Sequence, residues 1–367
     1  MSTLTTNTVV SIAGLAIGLV FGAVVQRTGF CAMGGISDAV LMGDGRRLRA
    51  WLLAVAVAIA GSQAMGFAGL VNLDHSIYLT PNLGWLGAIV GGLMFGFGMT
   101  QASGCASKNL VRLGGGNLKS LIVMMVLGIV AYTTLRGLLA LPRVQLETTN
   151  LDLQASGVHT QNIGDILAAI TGVPAMAARA GAAVVAVVVL LAICFRDASF
   201  RRSPGDILAG LVVGLATIVG WWVTGVLGAD EFNPTPLASM TFVSPSADSL
   251  QYLMTFTGST INFGIATVGG VILGSFLASL ATGTFSIETF TERGDLARHL
   301  GGAALMGAGG VMALGCTIGQ GVTGMSTLAL GSLIAWLSIM SGGYLGIKYL
   351  EEGSLGGALR VAFSRGA

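Results

Sequence analysis

The chain has 367 residues, of which 53% are hydrophobic and only 9% are charged, and its formal net charge is +2. Soluble domains carry about 25% charged residues, so this composition indicates an integral membrane protein and excludes an ordinary soluble domain. The basic residues form no stripe of the kind that binds nucleic acid. Four cysteines in such a chain do not predict a disulfide framework. No basic region precedes the first apolar run, so a cleaved signal peptide is not expected.

Hydrophobic runs along the chain predict an all-α membrane protein with about nine transmembrane helices. Each run approaches the 20 or so apolar residues that a helix needs to cross the hydrocarbon layer. The predicted spans are 9–26, 50–72, 84–102, 118–140, 179–196, 205–228, 262–281, 297–315 and 326–347.

The positions of the basic residues predict the orientation of these spans. The loops after the second and sixth spans contain no Lys or Arg. Cytoplasmic loops are enriched in basic residues, so the N-terminus is expected outside and the C-terminus inside a bacterial inner (cytoplasmic) membrane. The residues that define the cytoplasmic side follow the first, third, fifth and ninth spans: Arg46, Arg47, Arg49, Lys108, Arg112, Lys119, Arg196, Arg201, Arg202 and Lys348.

An internal repeat is visible in two glycine-rich stretches that end in Gly-Cys. The stretch "GGLMFGFGMTQASGC" ends at Cys105 and "GAALMGAGGVMALGC" ends at Cys316, with the same distance from the first Gly to the Cys. Residues 9–140 and 205–350 are therefore predicted to be two copies, joined by a connector, 141–204, that contains the fifth span. Matching elements lie five spans apart, and because five is odd, the copies are expected to be inverted in the membrane, as in many transporters.

Four segments are too short or too polar to span, yet too apolar for ordinary loops. Backbone of this kind at membrane depth must be buried in protein or line a cavity. We interpret these segments as short re-entrant helices, at Cys31–Met42, Cys105–Leu113, Asp248–Phe256 and Cys316–Met325.

Three cysteines flanked by glycine are the candidate functional residues. Cys31 lies in "QRTGFCAMGG", Cys105 in "QASGCASKN" and Cys316 in "ALGCTIGQG", each before a predicted short helix. Free N–H groups at a helix N-terminus attract anions. Polar residues that favour an anion route lie near the three motifs: Gln26, Arg27, Gln101, Ser103, Lys108, Asn109, Gln320 and Thr323.

Other interpretations of several polar and sulfur-containing residues stay open. Arg27 is also compatible with a snorkelling role at the membrane interface, and Lys108 and Arg112 with positive-inside residues. Cys194 in "LLAICFRD" is expected to be a packing residue. No metal or nucleotide cofactor is expected, since His75, His159 and His299 lack partner ligands and are expected at the surface, and "GGGNLKS" lacks Walker spacing.

The thiols favour one class of anion. A hydroxyl is a better hydrogen-bond donor than a thiol for most anions, but a soft, polarisable sulfur on the substrate changes that comparison. Thiosulfate combines a terminal sulfur, which suits the thiols, with sulfonate oxygens, which suit backbone N–H groups. The sequence therefore favours a thiosulfate path.

The motifs "GFCAMGG", "GCASKNLVRLGGG" and "GCTIGQGVTGMSTLALGS" resemble the YeeE/YedE sulfur-transport family, above all its thiosulfate-uptake members. The resemblance implies nine transmembrane helices with re-entrant ones in inverted halves. It also implies that thiosulfate passes Cys31, Cys105 and Cys316 by transient S–H···S contacts, without a broken bond, so that the chain is not an enzyme. Some relatives carry or partner a sulfur carrier of the TusA type, and others are assigned to selenium or other sulfur compounds.

The resulting hypothesis is an inner-membrane thiosulfate importer in which the anion meets Cys316 first and then Cys105 and Cys31. Asp38 is a candidate for proton coupling or a helix cap. Two rivals are a membrane sulfurtransferase with a persulfide on Cys105 and a transporter of a soft metal ion. The metal rival would require further His or Met ligands, which the cysteine motifs lack.

Overall fold

The computed structural model describes residues 5–230 and 235–364. The predicted all-α fold is confirmed, since 75% of the described residues are helical. Within the described residues the strands are limited to one antiparallel pair, β1 (Asn82–Leu83) with β2 (Leu151–Asp152). The helices are α1 (Thr6–Thr28), α2 (Ala32–Ser37), α3 (Arg46–Phe67), α4 (Trp85–Gln101), α5 (Ala106–Gly114), α6 (Leu118–Arg136), α7 (Ala140–Glu147), α8 (Ile163–Thr171), α9 (Ala175–Arg196), α10 (Ala198–Arg201), α11 (Pro204–Trp222), α12 (Val243–Met254), α13 (Phe263–Ala281), α14 (Arg293–Met312), α15 (Leu330–Glu352) and α16 (Leu355–Ser364).

Eight helical stretches in the described ranges are long and apolar enough to cross a bilayer, against nine predicted spans. The exception is the predicted span 297–315. It forms the helix α14, but the first two turns of this helix carry Asp295, Arg298 and His299, which lower its hydropathy. α14 packs against α4 and α6. The polar turns are therefore held by neighbouring protein, and His299, expected at the surface, is buried there.

Glycines allow the long helices to approach each other at backbone distance. α1 lies along α13, and α4 lies along α15. A Cβ atom at Gly274 would lie 2.0 Å from the carbonyl oxygen of Leu19, and one at Gly96 would lie 2.1 Å from that of Ile339. Small residues at such crossings are typical of transmembrane helix packing, and this explains much of the glycine content.

All four predicted short segments contain helical turns. α2 continues into π-helical turns at Asp38–Met42, α5 follows Cys105, and Gly319–Gly324 forms π-helical turns after Cys316. The remaining one, α12, begins at Val243 and not at the predicted Asp248. Pro245 lies in its first turn, where proline costs no hydrogen bond because the first N–H groups of a helix are unpaired.

The connector contains more helix than predicted for a single span. α7 and α8 lie in the long segment before the fifth span, α9. Asp165 of α8 forms an ion pair with Arg179 of α9 at 2.5 Å, and Arg179 also contacts Asp74 at 3.1 Å. These contacts tie the connector to the loop after α3.

Candidate functional site: thiols at three helix breaks

The break after α4 places Cys105 at the start of a second helix. The N–H of Gly104 donates to the carbonyl of Met99 at 2.8 Å, five residues back, which closes the end of α4. Ser103 has a φ of 55°, a left-handed conformation that non-glycine residues rarely adopt. Cys105 is then extended and is the N-cap residue of α5.

The break after α14 repeats this geometry. The N–H of Gly315 donates to the carbonyl of Gly310 at 2.7 Å, again five residues back. Leu314 has a φ of 57°, in the place that Ser103 has in the first break. Cys316 follows and precedes the π-helical turns at Gly319–Gly324. Both Gly-Cys motifs therefore end the preceding helix in the same way.

The thiols of Cys31 and Cys316 accept similar hydrogen bonds from the backbone. Cys31 is the N-cap residue of α2, and its Sγ accepts from the N–H of Gly34 at 3.5 Å. The Sγ of Cys316 accepts from the N–H of Gly319 at 3.4 Å. Each of these two thiols therefore lies at backbone N–H groups that start a helical turn.

The three breaks bring their thiols together inside the protein. Cys31 and Cys105 are side-chain neighbours, and Cys316 lies within electrostatic range of Cys105. The exposed fractions of Cys31, Cys105 and Cys316 are only 8%, 1% and 0%. The Cys105 Sγ is 3.3 Å from the Ser107 Oγ, and the Thr317 hydroxyl lies beside it. The cluster is therefore shielded from solvent and includes both thiols and hydroxyls.

Lys108 supplies a positive charge to this cluster. It lies in the first turn of α5, and its ammonium group is within electrostatic range of Cys31 and Cys105. Its side chain packs against Gly104, where an added Cβ would meet the Lys108 Cγ at 3.3 Å. A cation beside buried thiols favours an anion at this point.

Asn109 holds the Cys105 break in shape. Its Nδ2 donates to the carbonyls of Gly104 at 2.8 Å and Cys105 at 3.2 Å, and its Oδ1 accepts from the Ser120 hydroxyl at 3.0 Å. Gln320 has the corresponding role in the other break, where its Nε2 donates to the carbonyl of Ala313. These two predicted site residues act on the backbone that positions the thiols.

The other predicted polar residues are Gln101, Thr323, Gln26 and Arg27. Gln101 is buried and donates weakly to Thr100 at 3.4 Å, while the hydroxyl of Thr323 donates to the carbonyl of Met240 at 2.6 Å. Gln26 accepts from Ser275 at 3.4 Å. Arg27 is exposed in the last turn of α1, apart from the buried thiols, which fits a snorkelling residue.

Asp38 and Cys194 have polar partners of their own. Asp38 forms an ion pair with Arg47 at 3.3 Å. The Sγ of Cys194, in α9, donates to the carbonyl of Arg49, in α3, at 3.3 Å. Cys194 is therefore a packing residue, as expected.

Cavities lie on both sides of the cluster. A basic cavity of about 420 Å³ is lined by Gln26, Ser103, Asn109, Arg112, Lys119 and Arg298, among others. An acidic cavity of about 730 Å³ is lined by Thr6, Asp230, Asp248 and Leu314, among others, and its described lining contains no Lys or Arg. Thr6 and Gln26 lie at opposite ends of α1, about 30 Å apart at 1.5 Å per residue. The thiols lie between the two cavities, since Ser103 borders one and Leu314 the other.

A comparison with protein families decides the classification. The family model described as sulphur transport matches residues 27–345, which include all three clustered cysteines. The chain belongs to the sulphur transport family. The resemblance predicted from the cysteine motifs is thereby confirmed.

Two relatives resemble the chain over most of its length, and a third resembles a part of it. The thiosulfate transporter TsuA of Escherichia coli (strain K12) is 28% identical over 355 residues, which cover 93% of this chain and 92% of the relative. TsuA of Spirochaeta thermophila is 25% identical over 348 residues, with coverage of 90% and 96%. The probable transporter YedE of Salmonella typhimurium is 30% identical over 109 residues only, 29% of this chain. The chain is therefore a multi-pass membrane protein of sulfur transport.

Several residues near the cluster were not predicted from the sequence. Tyr78 is buried, within electrostatic range of Cys316, and lines a small recess of about 30 Å³ with Gln320, Ser332 and Leu314. The rings of Trp51 and Trp336 stack at 5.1 Å beside Gly321. These residues are far apart in the sequence and share no motif with the cysteines, so only the fold reveals them.

Proposed function

We propose that the chain imports thiosulfate across the bacterial inner membrane along the three clustered thiols. The observation that carries this proposal is the convergence of Cys31, Cys105 and Cys316 in one buried cluster between two cavities. Membership of the sulphur transport family and the relatives named as thiosulfate transporters support the choice of anion.

The charges of the two cavities support the proposed orientation. The basic cavity, with Arg112, Lys119 and Arg298, opens to the cytoplasm under the positive-inside rule. The acidic cavity, at the N-terminal end of α1, then opens outside. The anion would pass Leu314 and Cys316 first, then Cys105 and Cys31, and would leave through the basic cavity. A separate carrier protein of the TusA type would meet the chain at that cytoplasmic face.

Matched helix contacts support the inverted repeat, with 9–140 and 205–350 as the two halves. α1 packs on α13 as α11 packs on α3, and α4 packs on α15 as α14 packs on α6. The short helices α2 and α12 show the same correspondence between the halves. α2 contacts α3 and α15, and α12 contacts the matching helices α13 and α6. Opposed halves would bring the broken helices to one point near the membrane midplane.

The chemistry of the cluster suits an anion with a terminal sulfur. The Cys31 and Cys316 thiols are anchored at backbone N–H groups, which are hard donors for sulfonate oxygens. Thiols are weak donors and soft, polarisable groups, so they favour the terminal sulfur. Transfer from thiol to thiol needs no broken covalent bond, and the chain therefore acts as a transporter and not as an enzyme.

Growth on thiosulfate tests this function. A strain without thiosulfate uptake would express the wild type or the variants Cys31→Ala, Cys105→Ala, Cys316→Ala and Cys194→Ala, with thiosulfate as the only sulfur source. Wild type and Cys194→Ala are expected to grow, and the other three are expected to fail although they are present in the membrane. Equal growth of all variants would contradict a cysteine path.

Two further outcomes separate the rival functions. If cysteine-dependent growth were seen with another sulfur or selenium compound but not with thiosulfate, that compound would be assigned as the substrate. A covalent sulfur adduct on Cys105 in an intact mass spectrum, with transfer to an acceptor, would indicate a sulfurtransferase. The proposal predicts an unmodified mass after exposure to thiosulfate.

A further inference from the structure

The two Gly-Cys breaks differ in one polar contact. In the first break, Asn109 lies four residues after the cysteine, and its Oδ1 accepts from the hydroxyl of Ser120, the third residue of α6, at 3.0 Å. In the second break, Gln320 lies at the same distance from the cysteine, and Ser332 is the third residue of α15. Within the described residues, neither Gln320 Oε1 nor Ser332 Oγ has a hydrogen-bond partner. The second copy of the repeat therefore lacks a contact that the first copy makes.

The two unpartnered oxygen atoms lie close together and away from solvent. A Cβ atom added at Gly324 would lie 2.2 Å from Ser332 Oγ and 2.8 Å from Gln320 Oε1, so one small ligand between them can contact both. The exposed fractions of Gln320 and Ser332 are only 3% and 2%. A buried oxygen atom without a partner is unfavourable, and such atoms in folded proteins usually have one. The pair therefore indicates a ligand.

Gln320 and Ser332 both line the recess of about 30 Å³ described above, together with Tyr78. A cavity of this size holds one water molecule or one small ion. Its polar side chains contribute amide and hydroxyl groups, and its described lining contains no charged residue. The recess is therefore too small for an oxyanion, and its walls carry none of the cationic groups that would attract one.

The end of α14 favours a cation in this recess. Met312, the last residue of α14, and Ala313, its C-cap residue, form part of the wall. The carbonyl groups at a helix C-terminus carry partial negative charge. Gln320 Nε2 donates to the Ala313 carbonyl, so the oxygen of the same amide is the group that a ligand can contact. The recess therefore presents oxygen acceptors beside the negative end of a helix dipole.

The recess adjoins the acidic cavity, since Ile77 and Leu314 line both. The acidic cavity includes Asp230 and Asp248, and its described lining contains no Lys or Arg, so it attracts cations. Under the proposed function the same cavity admits an anion. A cation that binds next to this entrance would offset part of the charge of that anion.

We propose that the recess is a binding site for a monovalent cation, Na⁺, which enters from the acidic cavity and bridges Gln320 Oε1 and Ser332 Oγ. Divalent Ca²⁺ is bound largely through carboxylates, and the described lining of the recess has none. In transporters with inverted repeats, the C-terminal ends of broken helices and unwound backbone carbonyls coordinate Na⁺. The second Gly-Cys break supplies the same kinds of groups.

The position of the ion gives it a role in transport. Gln320 follows Cys316 by four residues, and its N–H donates to the Cys316 carbonyl at 2.8 Å, so the ion lies near the thiol that the anion meets first. A dianion such as thiosulfate enters the cytoplasm against the membrane potential, and a cation that accompanies it lowers this cost. The coupling of Na⁺ to the anion rests on the proposed function, whereas the binding site does not.

Equilibrium binding of radioactive Na⁺ to the purified full-length chain in nanodiscs tests the site without thiosulfate, with choline chloride to keep the ionic strength constant. The wild type is expected to bind Na⁺ saturably. Ser332→Ala is expected to weaken binding about tenfold or more, because it removes an oxygen ligand. Ser341→Ala in the same helix is the matched control, because its hydroxyl donates to the carbonyl of Leu337 at 2.8 Å, and it should bind as the wild type does.

Two further variants locate the bound ion. Gly324→Ala places a methyl group between the two oxygen atoms and is expected to abolish saturable binding. Asp248→Asn changes the acidic cavity but not the recess and is expected to retain saturable binding. Thermal unfolding shows whether each variant is folded, and Ser332→Ala and Gly324→Ala replace each other if one of them is not.

Three results would overturn the inference. The first is the absence of saturable Na⁺ binding by the wild type, and the second is equal affinity in the wild type and a folded Ser332→Ala protein; either would leave a water molecule as the occupant. The third is binding that is lost in Asp248→Asn but kept in Ser332→Ala, which would place the ion in the acidic cavity.

Thiosulfate uptake by vesicles that contain the purified chain tests the coupling separately. Uptake by the wild type is expected to rise with external Na⁺ at constant ionic strength, and this dependence should weaken in Ser332→Ala but not in Ser341→Ala. Saturable Na⁺ binding without any thiosulfate uptake would remove the proposed substrate and leave the site. Equal uptake in Na⁺ and in choline would contradict the coupling.

Discussion

Ser103 and Leu314 adopt the same left-handed backbone conformation, with φ values of 55° and 57°, one residue before the glycine of each Gly-Cys motif. Neither residue is a glycine, and a left-handed conformation costs a residue with a side chain about 1–2 kcal/mol. The cost recurs because the chain must turn at this point to place Cys105 and Cys316. Ser103 borders the basic cavity and Leu314 borders the acidic cavity. The two residues therefore share a backbone conformation but place different side chains at different cavities.

Leu314→Gly is expected to raise or maintain thermal stability, because glycine adopts positive φ without strain. The gain is about 1 kcal/mol, reduced by any packing that Leu314 loses while it is half exposed. Leu314→Val is the contrasting variant, since a β-branched side chain tolerates this conformation worse. Thermal unfolding in detergent measures both. A Leu314→Gly protein less stable than Leu314→Val would show that strain does not govern this position.

Asn109→Ala is expected to reduce uptake strongly while the chain still folds. The substitution leaves the carbonyls of Gly104 and Cys105 without their donor and should cost about 1–3 kcal/mol locally. Ser120→Ala removes only the contact to the Asn109 Oδ1 and should have a smaller effect. Uptake rates at matched protein levels test this order. A larger loss for Ser120→Ala than for Asn109→Ala would contradict the positioning role of Asn109.

Gly96→Ala is expected to destabilise the packing of α4 on α15 by about 1–3 kcal/mol, since extra atoms in a filled interface force the helices apart. The new Cβ would lie 2.1 Å from the Ile339 carbonyl oxygen. Gly301→Ala in α14 is the matched control, because a Cβ there meets nothing within 4 Å. Folded yield and thermal unfolding report the difference. Similar stabilities for the two variants would argue against the close crossing.

The Asp165 ion pair predicts a pH dependence in the connector. Burial raises the pKa of the Asp165 carboxyl, but hydrogen bonds from Arg179 and Thr160 outweigh it, and the net pKa is lowered. A carboxyl whose pKa is lower in the folded state than its unfolded pKa of about 3.9 stabilises the folded state at a pH above the unfolded pKa. This stabilisation is lost as the pH falls through the folded-state pKa. Asp165→Asn should therefore be less stable than the wild type at pH 7.

The two proteins should converge in stability as the pH falls below about 4, where the unfolded carboxyl is protonated. Thermal unfolding of both between neutral and acid pH provides the comparison. An Asp165→Asn protein that equals the wild type at pH 7, or a difference that grows in acid, would contradict the stabilising ion pair. Arg179→Gln should be destabilised at least as much at pH 7, since it removes the ion pairs with both Asp165 and Asp74.

The fold could be predicted largely because the bilayer requires long apolar helices, and eight of the nine predicted spans meet that criterion. The exception, α14, carries polar residues in its first turns, which the neighbouring helices α4 and α6 accommodate. This compensation depends on tertiary contacts, which cannot be predicted from the local sequence of the helix. The early start of α12 was missed because Pro245 resembles a helix breaker unless its place in the first turn is known.

The candidate site was predictable where glycine and cysteine recur in a motif, as at Cys105 and Cys316. Asn109 was identified only as a polar neighbour, whereas the structure gives it a specific role in holding the break. Tyr78, in the loop after α3, lies near Cys316, and the stacked pair of Trp51 in α3 and Trp336 in α15 lies beside Gly321. These neighbours are set by tertiary contacts and share no motif with the cysteines, so no local pattern identifies them.

Uptake of radiolabelled thiosulfate by vesicles that contain the purified chain, with Cys105→Ser against wild type, tests the central claim most directly. Serine preserves the size and hydrogen-bonding capacity of the residue and removes only the soft sulfur. Cys194→Ser serves as the control in the same vesicles, since its thiol donates to the carbonyl of Arg49 in α3. A soft contact to the terminal sulfur predicts that uptake falls about tenfold or more in Cys105→Ser and is unchanged in Cys194→Ser. A Cys105→Ser protein that takes up thiosulfate at the wild-type rate would contradict that claim.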